Sequence, residues 1–310
     1  MGGFAVITTY SNYMKWEKRR EQAQKFIKSW ENNVFPVFVM ECAYEGRPFE
    51  LHSSEYNVNI VHLRANTPLW HQYNLINVAI EKLKNFDRFL WVDIDITFEK
   101  SNMFVCQKTY DALYDIPFFQ PWRFCVDDTD HSIGESFCSR FFRGLPIIQG
   151  PNAPKNWKNT YGLAQCGYSW AITRDCWKRF GGLVDFGLLG SSDAVMVFSL
   201  LGKGKESLMP GLSPSIMDKI SIWEKNSEFW LKESKRSTNY LDNVIYHSFH
   251  GKSENRRYED RYEIFVKHQV DIDVDAYKNE DGLWEIKTDK VELIDDIKDY
   301  FSSRKEDENA

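Results

Sequence analysis

The sequence lacks the features that would direct it to a membrane, an oxidising compartment or nucleic acid. No basic segment followed by a long apolar one opens the chain, which argues against a signal peptide or membrane anchor. Its six cysteines include no C-x-x-C pair and no zinc-like spacing, which is typical of a reducing compartment. The formal net charge of −6 gives no support for binding to nucleic acid, although it leaves that partner open. We therefore expect a soluble cytoplasmic protein without a membrane segment.

The composition is that of a chain with a sizeable core and a surplus of aromatic residues. The chain has 310 residues, of which 43% are hydrophobic, and this is enough for one large domain or two small ones. Aromatic residues make up 15% and include 11 tryptophans. Some of these rings would suit a groove for a planar or sugar-like ligand, but core packing is their usual role.

The most informative stretch is an apolar run that ends in two carboxylates. Four apolar residues, Phe89 to Val92, predict a buried strand. Because side chains alternate along a strand, Asp93 and Asp95 should point to the same face where it ends. Two neighbouring carboxylates repel unless a cation or a hydrogen-bond donor compensates them, and Mg²⁺ or Mn²⁺ prefers oxygen ligands. The pair therefore predicts either a metal–diphosphate site or a polar turn, and the turn is the simpler interpretation of the tripeptide alone.

The amino-terminal third alternates strand-like and helix-like segments. We predict strands over 4–9, 34–40, 58–63 and 89–92, with helices over 14–32 and 69–83. This order predicts an α/β fold with a Rossmann-like, mostly parallel sheet and helices on both faces. Ligands bind beyond the carboxyl ends of the strands in such sheets. The polar residues expected at these ends are Thr8, Glu41, Arg64, Asp93 and Asp95.

The pattern is looser in the rest of the chain. We predict a short strand over 118–122, a mobile polar loop over 127–159 and a strand over 167–173. A helix over 174–180 should stop at Gly181, and a buried helix should cover 195–201. The charged segment 287–310 predicts a surface helix with a frayed tail.

Four blocks of the sequence occur in a characteristic order and spacing. They are Arg64 with the segment 70–79, the Asp93-Ile94-Asp95 motif, the segments 167–171, 181–185 and 189–193, and Tyr246 to Gly251 with the following arginines. Together they resemble a glycosyltransferase of the GT-A fold, close to the family-2 and galactosyltransferase-like group. The resemblance implies a single GT-A domain over 1–270. Its nucleotide-sugar-binding half would span 1–95 and its acceptor and catalytic half 96–270, followed by a carboxyl-terminal extension with a charged tail over 271–310.

The resemblance also implies roles for individual residues. Asp95, with Asp93 and one of His247 and His250, would hold Mn²⁺ or Mg²⁺, and a histidine ligand favours manganese. Of the two histidines His250 is favoured, because the glycine after it lets the chain turn tightly. Asp193 would be the general base, although it could instead cap a helix. Tyr168 and Trp170 would contact the acceptor, or pack in the core. The residues expected around the donor are Thr8, Tyr10, Glu41, Arg64, Asn77, Asp93 and Arg257.

The function that follows is metal-dependent transfer of a sugar from a nucleotide-diphosphate donor, expected to be a UDP-sugar, with inversion at the sugar carbon. The acceptor is a glycan, a small molecule or a macromolecule that the sequence does not name. Two alternatives remain open: a nucleotidyltransferase acting on sugar phosphates, and a non-catalytic module that binds carbohydrate or nucleic acid. The first turn, Thr9 to Tyr13, contains no glycine, which counts against the phosphate loop that a nucleotidyltransferase would use.

Overall fold

Strands and helices alternate through the first third of the chain in the computed structural model. The structure describes residues 2–128, 131–145, 147, 164–234, 239–249, 251–258 and 260–308. The first elements in chain order are β1 (Gly3–Ser11), α1 (Glu17–Trp30), β2 (Val37–Tyr44), β3 (Asn59–Ala65), α2 (Gln72–Lys82), β4 (Phe86–Val92), β5 (Ile96–Phe98) and α3 (Asn102–Ala112).

Shorter elements follow, with one long helix among them. They are β6 (Phe118–Phe119), β7 (Phe124–Asp127), β8 (Ile133–Ser136), α4 (Phe137–Phe142), β9 (Ala164–Gln165), β10 (Ser169–Thr173), α5 (Arg174–Phe180), α6 (Ser192–Leu200), α7 (Pro214–Ser234), β11 (Val244–His247), α8 (Glu263–Lys267), α9 (Ile272–Asp275), β12 (Ala276–Lys278), β13 (Trp284–Ile286) and α10 (Val291–Ser303). Two 3₁₀ turns lie at Gly204–Glu206 and Ser253–Arg256.

A six-stranded sheet forms the centre of the molecule, in the order β3-β2-β1-β4-β10-β6. The first four strands in this order are parallel, and β10 runs antiparallel to both β4 and β6. Apolar residues of β1 and β4 are fully buried, as expected for strands covered on both faces. The prediction of an α/β fold with a mostly parallel central sheet is confirmed.

A second sheet stands beside the carboxyl end of β4. Its order is β5-β11-β7-β8-β9, and β11 pairs in parallel with β7 and antiparallel with β5. Since β5 begins at Ile96, directly after the Asp93–Asp95 segment, the chain passes from one sheet into the other at the two carboxylates. The sequence prediction missed this second sheet, because its strands are only two to four residues long.

The carboxyl-terminal segment is part of the main core. Ile272, Leu283, Ile297 and Phe301 are buried in the same hydrophobic cluster as the residues of α2 and β4. The prediction of a frayed surface tail was wrong, because Arg304 and Glu306 are 3% and 1% exposed and form an ion pair at 2.8 Å. The charge of this segment concealed an amphipathic helix with one apolar face.

Three other expectations need correction. The prediction omitted α7, the 21-residue helix over Pro214–Ser234, although Ile216, Ile220 and Trp223 follow helical spacing and are buried. The predicted loop over 127–159 contains β8 and α4 where it is described. The helix predicted over 195–201 begins three residues earlier, at Ser192. No helix in the described part of the chain is both long and apolar enough to cross a membrane.

Candidate functional site

The candidate site lies where the order of the central sheet reverses. Chain order runs outward from β1 through β2 to β3, and β4 then pairs on the other side of β1. Crevices beyond the carboxyl ends of strands at such a switch point are where open α/β sheets bind ligands. Tyr10 and Ser11 end β1, and Asp93 follows β4, so both sides of this crevice carry polar groups.

Asp93 is held in place by one backbone and one side-chain hydrogen bond. Its N–H donates to the carbonyl oxygen of Tyr168 at 2.7 Å, and its Oδ1 accepts from Nε2 of Gln72 at 2.5 Å. The turn that follows is closed by Ile96, whose N–H donates to the carbonyl oxygen of Asp93 at 3.1 Å. Antiparallel pairing of β10 with β4 brings Tyr168 to this edge, since Ser169 lies opposite Val92.

Asp95 faces a histidine from the second sheet. The N–H of Ser248 donates to the carbonyl oxygen of Asp95 at 2.9 Å, and Nε2 of His247 lies 3.8 Å from Oδ2 of Asp95. The other ring nitrogen, Nδ1, lies 2.9 Å from Oδ2 of Asp127. Because an ionised carboxylate can only accept, Nδ1 donates its proton to Asp127, and Nε2 is the ring nitrogen that faces Asp95.

The third carboxylate comes from the start of α6. Asp193 lies in the first turn of this helix, where burial raises the pKa of its carboxyl group while backbone N–H groups and Arg261 lower it. Its Oδ2 packs so closely against Gly167 that a β-carbon there would lie 3.0 Å away. The residue at the N-cap position of α6 is Ser191, and it makes no side-chain capping bond.

Arg261 is a buried cation beside Asp193. It is 4% exposed, and its guanidinium donates to Oγ of Ser191. A β-carbon on Gly190 would lie 2.8 Å from Nη1 of Arg261, so the guanidinium occupies the space that this glycine leaves open. The side chain also lies over the ring of Tyr258, at 5.0 Å from its centroid.

The electrostatic balance at the site is negative. Burial raises the pKa of Asp93 well above its usual range, and the nearby carboxylates of Asp95 and Asp193 raise it further. The hydrogen bonds that the backbone N–H of Tyr168 and the side-chain amide of Gln72 donate to the Asp93 carboxyl group lower its pKa, but by less than these effects raise it. Three acids thus share one region with a single buried arginine, and a cation would relieve their repulsion.

These residues suit a divalent cation that shares its shell with a substrate. Within the described ranges, no three His, Cys, Asp or Glu side chains form a ready-made metal cage. Magnesium-type sites often use only one or two carboxylates plus substrate phosphates, and Asp93 and Asp95 provide this set. His247 has the orientation of a metal-binding histidine, because Asp127 engages its Nδ1. The other histidine considered, His250, lies outside the described residues.

A small polar pocket lies on the β1–β2 side of the crevice, lined by residues that include Tyr10, Asn12, Glu41 and Glu50. The hydroxyl of Tyr10 donates to Oε2 of Glu50 at 2.5 Å. Glu41 is 2% exposed and accepts from the N–H groups of Glu50 and Leu51 at 2.6 and 3.2 Å. Burial raises the pKa of Glu41, and these two hydrogen bonds lower it in part.

Three other residues predicted to bind the nucleotide-sugar donor have different surroundings from Asp93 and Asp95. Thr8 is 1% exposed within β1. Arg64 donates to the carbonyl oxygen of Arg47 at 2.8 Å and lies over the ring of Phe49. Arg257 forms an ion pair with Asp260 at 3.0 Å. Their roles in donor binding stay predictions.

Asn77 holds a loop together. Its Oδ1 accepts from the N–H of Leu183 and from Nε1 of Trp177, both at 2.8 Å, and its Nδ2 donates to the carbonyl oxygen of Leu183 at 2.9 Å. A side chain with these partners has little capacity left for a ligand. Donor binding by Asn77 also stays a prediction.

The two aromatic residues predicted to meet the acceptor differ in position. Trp170 is fully buried, donates to the carbonyl oxygen of Cys166 at 2.7 Å and stacks on Phe118 with ring centroids 4.5 Å apart. It therefore packs in the core. Tyr168 lies at the site, with its ring 4.9 Å from that of His247 and a backbone φ of +75°. Such a strained conformation often marks a functional position.

Two residues at the site, Gln72 and Asp127, were given no role by the sequence analysis, and Arg261 was noted only among the arginines that follow Gly251. Asp127 ends β7, the strand that pairs with β11, which carries His247. The contact between Asp127 and His247 could be predicted only if the second sheet were already known. Gln72 could have been noticed as the polar residue that begins α2.

Comparisons with known proteins found only distant likenesses. No family profile and no curated protein sequence matches the chain. A crystal structure of S. aureus TarS, residues 1–349, aligns at 12% identity and a TM-score of 0.43, covering 86% of this chain and 68% of that one. The same region of TarS in complex with UDP-GlcNAc aligns at 15% identity and a TM-score of 0.38, covering 64% of this chain and 53% of that one.

A putative glucose-1-phosphate thymidylyltransferase from Bacillus anthracis, crystallised with a sucrose, is also similar. It aligns at 9% identity and a TM-score of 0.37, covering 78% of this chain and 89% of that one. The chain spans about half of the TarS structure that carries UDP-GlcNAc. At these scores the comparisons assign the chain to no family, and its function has to be argued from its own residues.

Proposed function

We propose that the protein is a metal-dependent glycosyltransferase of the GT-A type that takes its sugar from a nucleotide-diphosphate donor such as a UDP-sugar. The observation that carries this proposal is the convergence of Asp93, Asp95 and Asp193 at the switch point of the sheet, where burial and mutual repulsion raise the pKa of Asp93. Three neighbouring carboxylates repel one another, and a bound cation would stabilise them.

Asp95 and Asp93 would hold Mn²⁺ or Mg²⁺, with His247 as a further ligand. When bound, the cation supplies positive charge that stabilises the diphosphate leaving group. The chain's own contribution is to fix these side chains before the donor arrives. Asp127 orients the His247 ring at 2.9 Å, and Tyr168 and Gln72 hold Asp93 at 2.7 and 2.5 Å.

Asp193 would accept the proton of the acceptor hydroxyl as it attacks the sugar. A general base works best when its pKa lies near the working pH, and burial moves the pKa of Asp193 upward, in that direction. Arg261 limits this rise and keeps the carboxylate available in its ionised form. A base on the face opposite the leaving group gives inversion at the sugar carbon.

The polar residues at the carboxyl ends of β1 and β2 would contact the nucleoside part of the donor. The Tyr10 ring and the amide of Asn12 line a small pocket there, and the Glu41 carboxylate is fixed beside it by two backbone N–H groups. Tyr168, at the opposite side of the carboxylates, is the candidate for acceptor contact.

The proposal is tested by incubating the purified protein with a panel of nucleotide sugars, with and without Mn²⁺, and identifying the products. Metal-dependent release of free sugar and nucleoside diphosphate from one donor is the expected result. Asp193→Asn should lower the turnover rate by at least about 100-fold, the scale of a lost general base, while leaving donor affinity within about twofold. Full turnover by Asp193→Asn would exclude it as the base.

The product analysis also separates the rival functions. Formation of nucleoside triphosphate and sugar 1-phosphate on adding pyrophosphate would identify a nucleotidyltransferase and overturn the proposal. Binding of a nucleotide sugar without any turnover, across the panel and with candidate acceptors, would favour a non-catalytic module. Asp87→Asn is the matched control, since Asp87 lies near the amino end of β4, away from the crevice.

A further inference from the structure

A chain of hydrogen bonds leads from a tryptophan to Asp93. Nε1 of Trp70 lies 3.1 Å from Oε1 of Gln72, and Nε2 of the same amide lies 2.5 Å from Oδ1 of Asp93. Trp70 and Gln72 precede and begin α2, so one short segment supplies both links. The side chain of Gln72 alone therefore links the Trp70 indole to the Asp93 carboxylate in this series of hydrogen bonds.

The chemistry of the two ends fixes the orientation of the central amide. An indole N–H can only donate, so the Gln72 atom that faces it is the oxygen. The amide NH₂ must then point the other way, towards Asp93, where it donates to the carboxylate. Without the indole N–H the amide could rotate by half a turn and present its oxygen to Asp93, which would add repulsion instead of a hydrogen bond.

Trp70 is itself held by a largely buried group of charges, one from α1 and two from the carboxyl-terminal segment. The guanidinium carbons of Arg19 and Arg304 lie 5.4 and 4.6 Å from the centroid of its ring. Glu306 joins the two arginines, at 3.0 Å from Arg19 and 2.8 Å from Arg304. Its side chain and that of Arg304 are only 1% and 3% exposed, so this anchor is rigid. The N–H of Trp70 also donates to the carbonyl oxygen of Leu188 at 2.8 Å.

We propose that Trp70 and Gln72 are positioning residues for Asp93: the indole N–H sets the Gln72 amide, and the amide holds Oδ1 of Asp93 so that Oδ2 is left for the cation of the proposed site. This inference rests on the proposed function for its ligand. It adds that the carboxyl-terminal segment 304–306, which anchors Trp70, contributes to the site although it lies more than 200 residues along the chain from Asp93.

The test compares Trp70→Phe with Trp177→Phe. Trp177 is a matched control, because its Nε1 donates to Oδ1 of Asn77 at 2.8 Å, another side-chain amide on α2, but that amide holds Leu183 and not Asp93. Phenylalanine keeps an aromatic ring for packing but removes the N–H donor together with part of the indole ring system, a loss of volume that both variants share. Binding of UDP is measured by calorimetry at saturating Mn²⁺. Trp70→Phe should bind about tenfold more weakly than wild type, the lower end of the loss seen for partners that orient metal ligands.

The outcomes separate the two proposals. Binding by Trp70→Phe within twofold of wild type would overturn the positioning role while leaving the glycosyltransferase proposal intact. An equal loss in Trp177→Phe would also overturn it, because the effect would then be one of general stability. Absence of Mn²⁺-dependent UDP binding by the wild-type protein would instead contradict the proposed function.

A thermodynamic cycle tests the positioning role without any donor. The unfolding equilibrium constant is measured for Trp70→Phe, Asp93→Ala and the double variant. Since the indole acts on Asp93 through one amide, the effect of Trp70→Phe should be at least twofold smaller when Asp93 is already alanine. Equal effects in both backgrounds would refute the link. The same cycle with Trp177→Phe should be additive.

Discussion

A buried histidine next to the site makes the stability of the protein dependent on pH. His71 is 1% exposed, stacks on Tyr44 with ring centroids 5.9 Å apart, and directly precedes α2, whose first residue, Gln72, holds Asp93. Burial disfavours the charged imidazolium and lowers the pKa of His71 from 6.5 to about 4. Protonation of this ring therefore opposes the folded state.

The size of the effect follows from the two pKa values. Between pH 6.5 and about 4 the unfolded chain binds the proton more tightly than the folded one, so the free energy of unfolding falls as the solution is acidified. The difference of about 2.5 between the pKa values, at about 1.4 kcal/mol each, gives a total loss of about 3 kcal/mol. About 2 kcal/mol of this should be lost by pH 5, and none above pH 7.5.

Urea unfolding of wild type, His71→Phe and His71→Gln between pH 5 and pH 8 measures this loss. Neither replacement can be protonated, so the two variants should differ from each other by a constant amount, set by packing, at every pH. Relative to wild type, both should gain about 2 kcal/mol on going from pH 8 to pH 5. A difference between wild type and variants that does not change with pH would refute the reasoning.

Three further predictions concern stability. Asp93→Asn should raise the free energy of unfolding of the chelator-treated protein by at least about 1 kcal/mol, because it removes one of three converging charges. A lower free energy of unfolding than that of wild type, measured with urea, would contradict this. Glu306→Gln should cost about 3–5 kcal/mol, because it removes the carboxylate that pairs with the buried Arg304 and the partly buried Arg19. The exposed Glu308→Gln should cost less than about 1 kcal/mol by the same measurement. Gly190→Ala should lower the thermal unfolding midpoint more than Gly202→Ala does. Both glycines have positive φ, but only a β-carbon at position 190 would lie 2.8 Å from the guanidinium of Arg261. Equal shifts in the two variants would show that this contact is unimportant.

The sequence contained enough information to predict the first third of the fold. The strands β1 to β4 and the helices between them have strong apolar periodicity, so they were predicted with errors of a few residues at their ends. The helix Arg174–Phe180 was predicted with its correct bounds, because Gly181 ends it in the left-handed conformation at φ +79°.

The remainder of the fold depends on contacts that local patterns do not record. The strands of the second sheet are too short to show a period, and pairing between β11 and β7 joins residues 120 positions apart, such as His247 and Asp127. Charged residues such as Arg304 and Glu306 are predicted to be solvent-exposed from their residue type. Only the tertiary structure shows that they form an ion pair in the interior.

The candidate site was predictable only in part. The Asp93–Asp95 spacing identified the end of β4, because alternation along a strand is a local property. Trp170 looked as suitable for a ligand as Tyr168, and nothing local distinguishes a fully buried ring from one at the edge of a crevice. The hydrogen bond from Gln72 to Asp93 and the effect of Arg261 on the pKa of Asp193 require the three-dimensional arrangement, since each joins residues of different elements.

The central claim is that a divalent cation binds at Asp95 and carries the diphosphate of the donor. Calorimetric titration of UDP, with Mn²⁺ and with chelator, into wild type, Asp95→Asn and Asp87→Asn tests it most directly. The account predicts UDP binding to wild type and Asp87→Asn only when Mn²⁺ is present, and a loss of more than about 100-fold in Asp95→Asn. UDP binding that is equally tight with chelator, or equally tight in Asp95→Asn, would contradict it.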